Sequence, residues 1–289
     1  MNYGPLLFLA AFIALASSWF GFVLSPQLQI GRLQQTNAVP AGEAYPVARP
    51  GLARQGLDVY RANGCAYCHS EQVGQTGIVC DVLLTDAGTN RQALIAALLK
   101  VKPQAQPDEL LATLPATIEE GLTKAEADAV AKSLSVGGAK AQAWIRPIGP
   151  DIDRGWGKRR SVAEDFLYDY PVMPGSQRIG SDLANVGVRL PDANWHLLHL
   201  YAPRFQVKGS AMPPYQYLFE KCRIERAPSP NALVLPPELA PEPGYEIIPK
   251  AEARTLVAYL LSLRSDVPLF NAPVSVAPPA PPSTNAPPK

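Results

Sequence analysis

The chain has 289 residues, 47% of them hydrophobic and 18% charged, enough apolar material to bury a core and too much for wholesale disorder. Its 26 lysines and arginines nearly balance 25 aspartates and glutamates, for a formal net charge of +1. No basic stripe interleaved with aromatics occurs, so a nucleic-acid surface is excluded as well.

The first charged residue is Arg32, and Pro5 to Leu24 is an apolar run of the length that crosses a bilayer as a helix. Ala14-Leu15-Ala16 resembles a signal-peptide cleavage site, but the positive n-region of such signals is missing, so residues 1–28 are expected to remain as an anchor. Residues 29–51 read as a linker, because Gln27 to Pro50 is polar, is punctuated by Pro40, Pro46 and Pro50, and has neither a helical nor a strand period. Leu52, Gln55, Leu57, Val59 and Tyr60 then fall on a helical pattern that runs directly into Gly64-Cys65-Ala66-Tyr67-Cys68-His69. The last helix is predicted over Lys250 to Arg264, with Ala253, Leu256, Val257, Leu260 and Leu263 at helical spacing. Residues 268–289 are a proline-rich segment that cannot bury a core and are expected to be a disordered tail.

Cys65, Cys68 and His69 form C-x-x-C-H, the attachment signature of c-type haem. Two intervening residues let both thiols reach the vinyl groups of one porphyrin while the adjacent imidazole meets the iron. The competing readings are a structural disulfide, a redox C-x-x-C pair and half a zinc site. A zinc site wants a second ligand pair, and Cys80 and Cys222 are isolated in sequence; a thioredoxin-like motif wants a preceding strand, and here a helix precedes. One covalently attached haem c is therefore expected on Cys65 and Cys68, with His69 as an iron ligand.

A sixth ligand must come from downstream, where Met173, Met212, His196 and His199 are the donors. Met212 is expected to fill the role, because the prolines of Met212-Pro213-Pro214 stiffen its loop and it precedes the closing helix. His196 and His199 lie three apart and share one face if their stretch is helical. They are either hydrogen-bonded structure or contacts to a haem propionate or a partner redox subunit. Cys80 and Cys222 either pair in an oxidising compartment or remain two buried thiols.

With these residues in view, the chain resembles the mono-haem cytochrome c subunit (subunit II) of cbb₃-type haem-copper oxidases. The resemblance runs through the N-terminal anchor, Asp58-Val59-Tyr60, Cys68-His69-Ser70 and Gln72. It continues through Arg146-Pro147, Glu164-Asp165, Tyr168-Asp169-Tyr170-Pro171 and the block from Gly175 to Gly187. Trp195-His196, His199-Leu200, Pro203-Arg204 and Met212-Pro213 complete it. It implies a mainly α fold in which a transmembrane helix carries a class I-like cytochrome c domain built from residues 52–78 and 146–267. It also implies single-electron transfer to a catalytic haem-copper subunit, with a di-haem cytochrome c subunit or a soluble carrier as donor. The site would be a bacterial cytoplasmic membrane, with the haem domain on the periplasmic face. With three histidines and one anchor, this chain holds no oxygen-reducing centre of its own. The rival readings are the cytochrome subunit of a nitric oxide reductase, a free-standing anchored carrier or haem sensor, and a peroxidase-like enzyme with an open haem position.

Two departures from that family stand out. Gly180-Ser181-Asp182-Leu183 replaces the usual Gly-Pro-Asp-Leu, which removes a proline from the neighbourhood that backs the proximal histidine. Residues 79–145 are an insertion. A strand over Val79 to Leu84, helices over 90–101, 107–114 and 123–135, and a strand over Lys140 to Ile145 predict a small α/β unit there. Thr123 with Glu126 forms a capping box. The unit resembles the C-terminal domain of the ribosomal large-subunit stalk protein, in Asp81-Val82-Leu83-Leu84, Ile118 to Ala127 and Gly137-Gly138-Ala139-Lys140.

Overall fold

A computed structural model describes residues 3–38 and 42–269. Helices α1 (Gly4–Trp19) and α2 (Ser25–Gln29) are joined by one π turn over Phe20–Leu24, so that a continuous helix of 26 residues runs from Gly4 to Gln29. At about 1.5 Å per residue it spans roughly 39 Å, more than the hydrocarbon core of a bilayer. Among the described residues it is the one helix long and apolar enough to cross a membrane, and none of that span is buried against the rest of the chain.

The linker departs from a free tether. Strands β1 (Thr36–Asn37) and β2 (Ala44–Tyr45) pair antiparallel, and Ala38 bridges to Leu269. The Tyr45 hydroxyl donates to Asp165 at 2.8 Å, and Arg49 donates to Ser262 and pairs with Asp169. Polar composition concealed this, because the segment docks through side-chain bonds that leave no periodic trace. Leu269 is buried at the edge of the expected tail, whose residues 270–289 lie outside the described residues.

After α3 (Gly51–Ala62) come β3 (Gly77–Asp86), α4 (Arg91–Val101), α5 (Pro107–Ala112), β4 (Ala116–Leu122), α6 (Lys124–Leu134) and β5 (Lys140–Ile148). Then follow α7 (Pro150–Asp153), α8 (Val186–Arg189), α9 (Ala193–Tyr201), α10 (Pro203–Gln206), β6 (Phe219–Arg223), β7 (Tyr245–Pro249) and α11 (Ala251–Ser262). The expected mainly α architecture is thus corrected to a mixed α/β one. The three strands β4-β3-β5 form one antiparallel sheet, and β6 pairs with β7 to bury Phe219 and Ile247 in the core that α3 and α11 build.

That first core joins Leu57 and Tyr60 of α3 to Leu183, Val186, Leu200, Leu218 and the apolar face of α11. The helices cross so closely that a Cβ on Gly56 would stand 1.9 Å from the Thr255 carbonyl oxygen. Tyr60 and Tyr259 pack beside that crossing with ring centroids 5.2 Å apart.

A second core, of Val82, Leu84, Leu94, Leu98, Ile118 and Leu134, lies between the sheet and helices α4 and α6. The Thr123 capping box forms as expected, its hydroxyl and amide both meeting Glu126. Strand β4 was not anticipated: only Ala116 and Ile118 of its residues are buried, too short an alternation to announce a strand. Gly77 at the start of β3 lies directly opposite Ile148 at the end of β5. Such pairs stand about 5 Å apart, so the segment leaves and rejoins the chain at nearly one point and opens little of the first core.

Gly56→Val should lower the unfolding temperature of the detergent-solubilised chain, because overpacking of this kind costs about 1–3 kcal/mol. Ala96→Val, on an exposed face of α4, should leave it nearly unchanged; an unchanged midpoint for Gly56→Val would mean that the crossing is not tight.

Candidate functional site

Helix α3 ends at Asn63, whose side-chain amide donates to the Val59 carbonyl at 2.7 Å. Gly64 follows with φ +67°, the left-handed conformation that glycine adopts at little cost, and turns the chain into a 3₁₀ turn over Cys65–Tyr67. The amides of Cys68 and His69 both donate to the Cys65 carbonyl, at 3.1 and 3.0 Å. One turn therefore carries both thiols and the imidazole. Cys65 packs against the first core while Cys68 is exposed. Burial pushes the Cys65 thiol up to about 12, which disfavours the thiolate that zinc binding or thiol-disulfide exchange requires.

A second segment runs alongside and is tied to this one by main-chain bonds. Ser176 donates to Ala66, Gly180 to Cys68 and Leu183 to Ser70, at 3.2, 2.9 and 2.7 Å, and Glu71 donates back to Pro174 at 2.9 Å. Two glycines allow this approach. A Cβ on Gly175 would stand 2.3 Å from the His69 carbonyl oxygen, and one on Gly180 would stand 2.3 Å from Cε1 of the His69 ring. The His69 Nδ1 atom lies 2.7 Å from the Ser181 carbonyl oxygen. With Nδ1–H donating there, the proton is fixed on that nitrogen and the Nε2 lone pair is left for a metal. Burial lowers the His69 pKa, which favours the neutral ring. The residue that replaces proline in the Gly-Ser-Asp-Leu stretch thus still supplies a backing carbonyl.

Asp182, fully buried, organises the surrounding backbone. Its carboxylate accepts from the Ser70 hydroxyl at 2.5 Å and from the amides of Gln72 and Ala184 at 2.9 and 2.8 Å. Arg178 donates to Ser70 and pairs with Asp151, which also accepts from the amide of Gly74. Glu71 is buried beneath the turn, where the Tyr259 hydroxyl reaches its two oxygens at 2.9 and 3.0 Å. Burial pushes the Glu71 carboxyl up to about 7, against the Tyr259 hydrogen bond and the Arg49 charge. Sequence reading missed Asp151, Glu71 and Tyr259; a lone acid beside the motif and a tyrosine on a helix carry no signal until their burial is known.

The remaining predicted residues fall around the same space. Met212 and Met173 both pack against the first core. The Met212 loop is pinned where the Tyr215 amide donates to the Leu200 carbonyl at 2.7 Å, and the Tyr215 phenol lies in electrostatic reach of Cys65 and Cys68. His196 and His199 do lie on one helix, α9. Cys80 is buried in β3, Cys222 lies in β6, and both are free thiols rather than a disulfide. The set of two thiols on one turn, a neutral buried imidazole with a backed Nδ1 and a thioether in the adjoining core fits a covalently held haem.

Tyr259→Phe should destabilise the chain by about 1–3 kcal/mol, measured by denaturant unfolding, because it strips a buried carboxyl of its donor. An unchanged midpoint would show that Glu71 finds another partner.

Residues 138–233 match the family described as "Cytochrome C oxidase, mono-heme subunit/FixO". That stretch includes Met212, Arg178 and Ser181 but not Cys65, Cys68 or His69. A stretch of 67 residues is 39% identical to the large ribosomal subunit protein bL12 of Glaesserella parasuis and equally to that of Histophilus somni, covering 22% of this chain and 52% of each relative. The chain thus spans about half the length of these curated relatives. Through residues 138–233 and the packing they build behind His69, the chain is similar to the mono-haem subunit of cytochrome c oxidase.

Proposed function

We propose that this chain is a membrane-anchored mono-haem cytochrome c that delivers single electrons to the catalytic haem-copper subunit of a cbb₃-type oxidase. The observation that carries the reading is the His69 ring, pressed by Gly180 and bonded to the Ser181 carbonyl, on the same turn as Cys65 and Cys68. Haem, when bound, supplies an iron that gains and loses one electron. Cys65 and Cys68 would hold it covalently, and His69 would ligate the iron through Nε2.

Met212 would be the better second ligand. The segment that follows Met173 is laced by Pro174 and Gly175 to the backbone of the His69 turn, whereas Met212 lies on a separate loop held to α9 through Tyr215, whose phenol is in electrostatic reach of Cys65 and Cys68. Met212 would therefore hold the iron together with His69, and Met173 would remain a packing residue beside the His69 turn. A half-buried thioether there would leave the iron closed to substrates and raise its potential relative to a second histidine.

In this reading residues 1–28 anchor the protein, 52–78 with 146–267 form a class I-like cytochrome domain on the periplasmic side, and 79–145 are a passenger with its own core. The di-haem cytochrome c subunit or a soluble carrier is the donor. Tyr67, Ile179 and Tyr217, each more than half exposed, offer apolar surface beside the turn across which an electron partner can approach.

Met212→Ala should abolish the thioether-to-iron charge-transfer band of the oxidised protein and lower its midpoint potential, while Met173→Ala should leave the band in place. The reverse pattern would exchange the two residues. Gentle extraction of the tagged chain from its native membranes should bring with it b-type haem and oxygen-reducing activity. A c-type spectrum alone would leave a free-standing carrier or sensor, and nitric oxide reduction in place of oxygen reduction would assign the other oxidase relative.

A further inference from the structure

Four main-chain hydrogen bonds tie the segment behind His69 to residues 66–71, whereas the loop that carries Met212 is bonded to the motif through a single side chain. The Tyr217 hydroxyl donates to Oδ1 of Asn63, and among the described residues this is the one hydrogen bond between residues 59–69 and 210–218. Asn63 caps the end of α3, just ahead of Gly64 and Cys65. Its side-chain nitrogen is committed to the Val59 carbonyl at 2.7 Å, which leaves the oxygen of the same group as an acceptor. A carboxamide carries both a donor and an acceptor, so one side chain can satisfy a helix-end carbonyl and still receive a bond from another segment.

Tyr217 is held in place for this contact from two other directions. It lies in a 3₁₀ turn over Gln216–Leu218, closed where the Leu218 amide donates to the Tyr215 carbonyl at 3.0 Å. Lys250, at the head of α11, fastens that turn with its backbone amide to the Leu218 carbonyl at 2.9 Å and with its ammonium to the Tyr217 carbonyl at 2.8 Å. Upstream, the Tyr215 amide is bonded to Leu200 of α9, and the Met212 amide donates to the Ser210 hydroxyl at 3.2 Å. The loop is thus fastened to α9 and α11, and the Tyr217 hydroxyl is its hydrogen-bonded fastening to the motif helix. Pro213 and Pro214 have fixed φ angles, so a shift at Tyr217 is passed along a stiff segment to Met212.

We propose that Tyr217 is a positioning residue for the sixth iron ligand: its bond to Asn63 clasps the Met212 loop onto the end of the motif helix and sets how readily the thioether leaves the iron. This rests on the haem reading above, with Met212 as the ligand. A competing ligand has to swing the thioether away and open the clasp with it, so the Tyr217–Asn63 bond adds its free energy to the closed state. Tyr217 is 60% exposed, and water competes for its hydroxyl, which puts the contribution at the low end for a hydrogen bond.

Imidazole titration of the oxidised full chain, followed by loss of the thioether-to-iron charge-transfer band, reads this property, with covalent attachment verified in each sample by haem staining of denatured protein. Tyr217→Phe, which keeps the ring and removes the hydroxyl, should raise the imidazole affinity about 2- to 5-fold. Asn63→Asp, which leaves the hydroxyl an acceptor, should keep the wild-type affinity, and Tyr217→Phe added to Asn63→Ala should raise it no further than Asn63→Ala alone. A wild-type imidazole affinity in Tyr217→Phe, even with a lowered unfolding midpoint, would make the bond purely structural and overturn the proposal. So would effects of Tyr217→Phe and Asn63→Ala that simply add. A wild-type chain that stains for haem but lacks the thioether band would overturn the Met212 assignment and the clasp together while leaving covalent haem in place, and one that does not stain would overturn the haem reading itself.

Discussion

The bond between the His69 imidazole and the Ser181 carbonyl depends on two distant stretches of chain lying backbone to backbone, and the rest of the structure follows from that constraint. Residues 66–71 and 174–183 are joined by four main-chain hydrogen bonds. Each contributes about 0.5–1.5 kcal/mol net, modest alone but sufficient together to hold a ring whose orientation must not drift. Glycine at 175 and 180 is required because any side chain there would occupy the space of the His69 backbone or ring. Asp182, Arg178 and Asp151 then bind the free amides of the turn, so that little of its buried polar backbone is left to compete for the imidazole.

That lacing also explains the placement of α11. The 183–187 stretch continues onto the closing helix, where Gly187 donates to Leu263 and the Ser265 amide donates to Asn185. From α11, Tyr259 reaches back beneath the turn to Glu71, and Gly56 admits α3 to the same helix. The motif, the backing segment and the two bracketing helices thus form one mechanical unit. The 79–145 segment stands outside it, with its own buried core and ends paired at Gly77 and Ile148. A chain that departs and returns at one point does not strain the turn that precedes it.

The parts of this arrangement that were legible in sequence are those encoded locally. The C-x-x-C-H spacing, the helical period before it, the apolar run at the start and the Thr123 capping box all state their structure within a few residues. The partners of Glu71 and Asp182 are encoded only by burial, and they lie from two to nearly two hundred residues away. The two-stranded β6–β7 pairing was hidden because prolines and short length erase its alternation. The linker was misjudged for a related reason: Tyr45 and Arg49 anchor it through single bonds to Asp165 and Asp169, which polar composition does not reveal. The replacement of proline by Ser181 seemed to unsettle the histidine, yet the contact is made by a backbone carbonyl, which substitution leaves in place.

Mass spectrometry of the intact chain, purified from cells that mature c-type cytochromes, followed by peptide mapping, tests the central claim most directly. The account predicts one haem per chain, attached through two thioether bonds on the peptide that contains Cys65 and Cys68. An unmodified Cys65–Cys68 peptide from such cells, or a metal held by those thiols in place of haem, would contradict it.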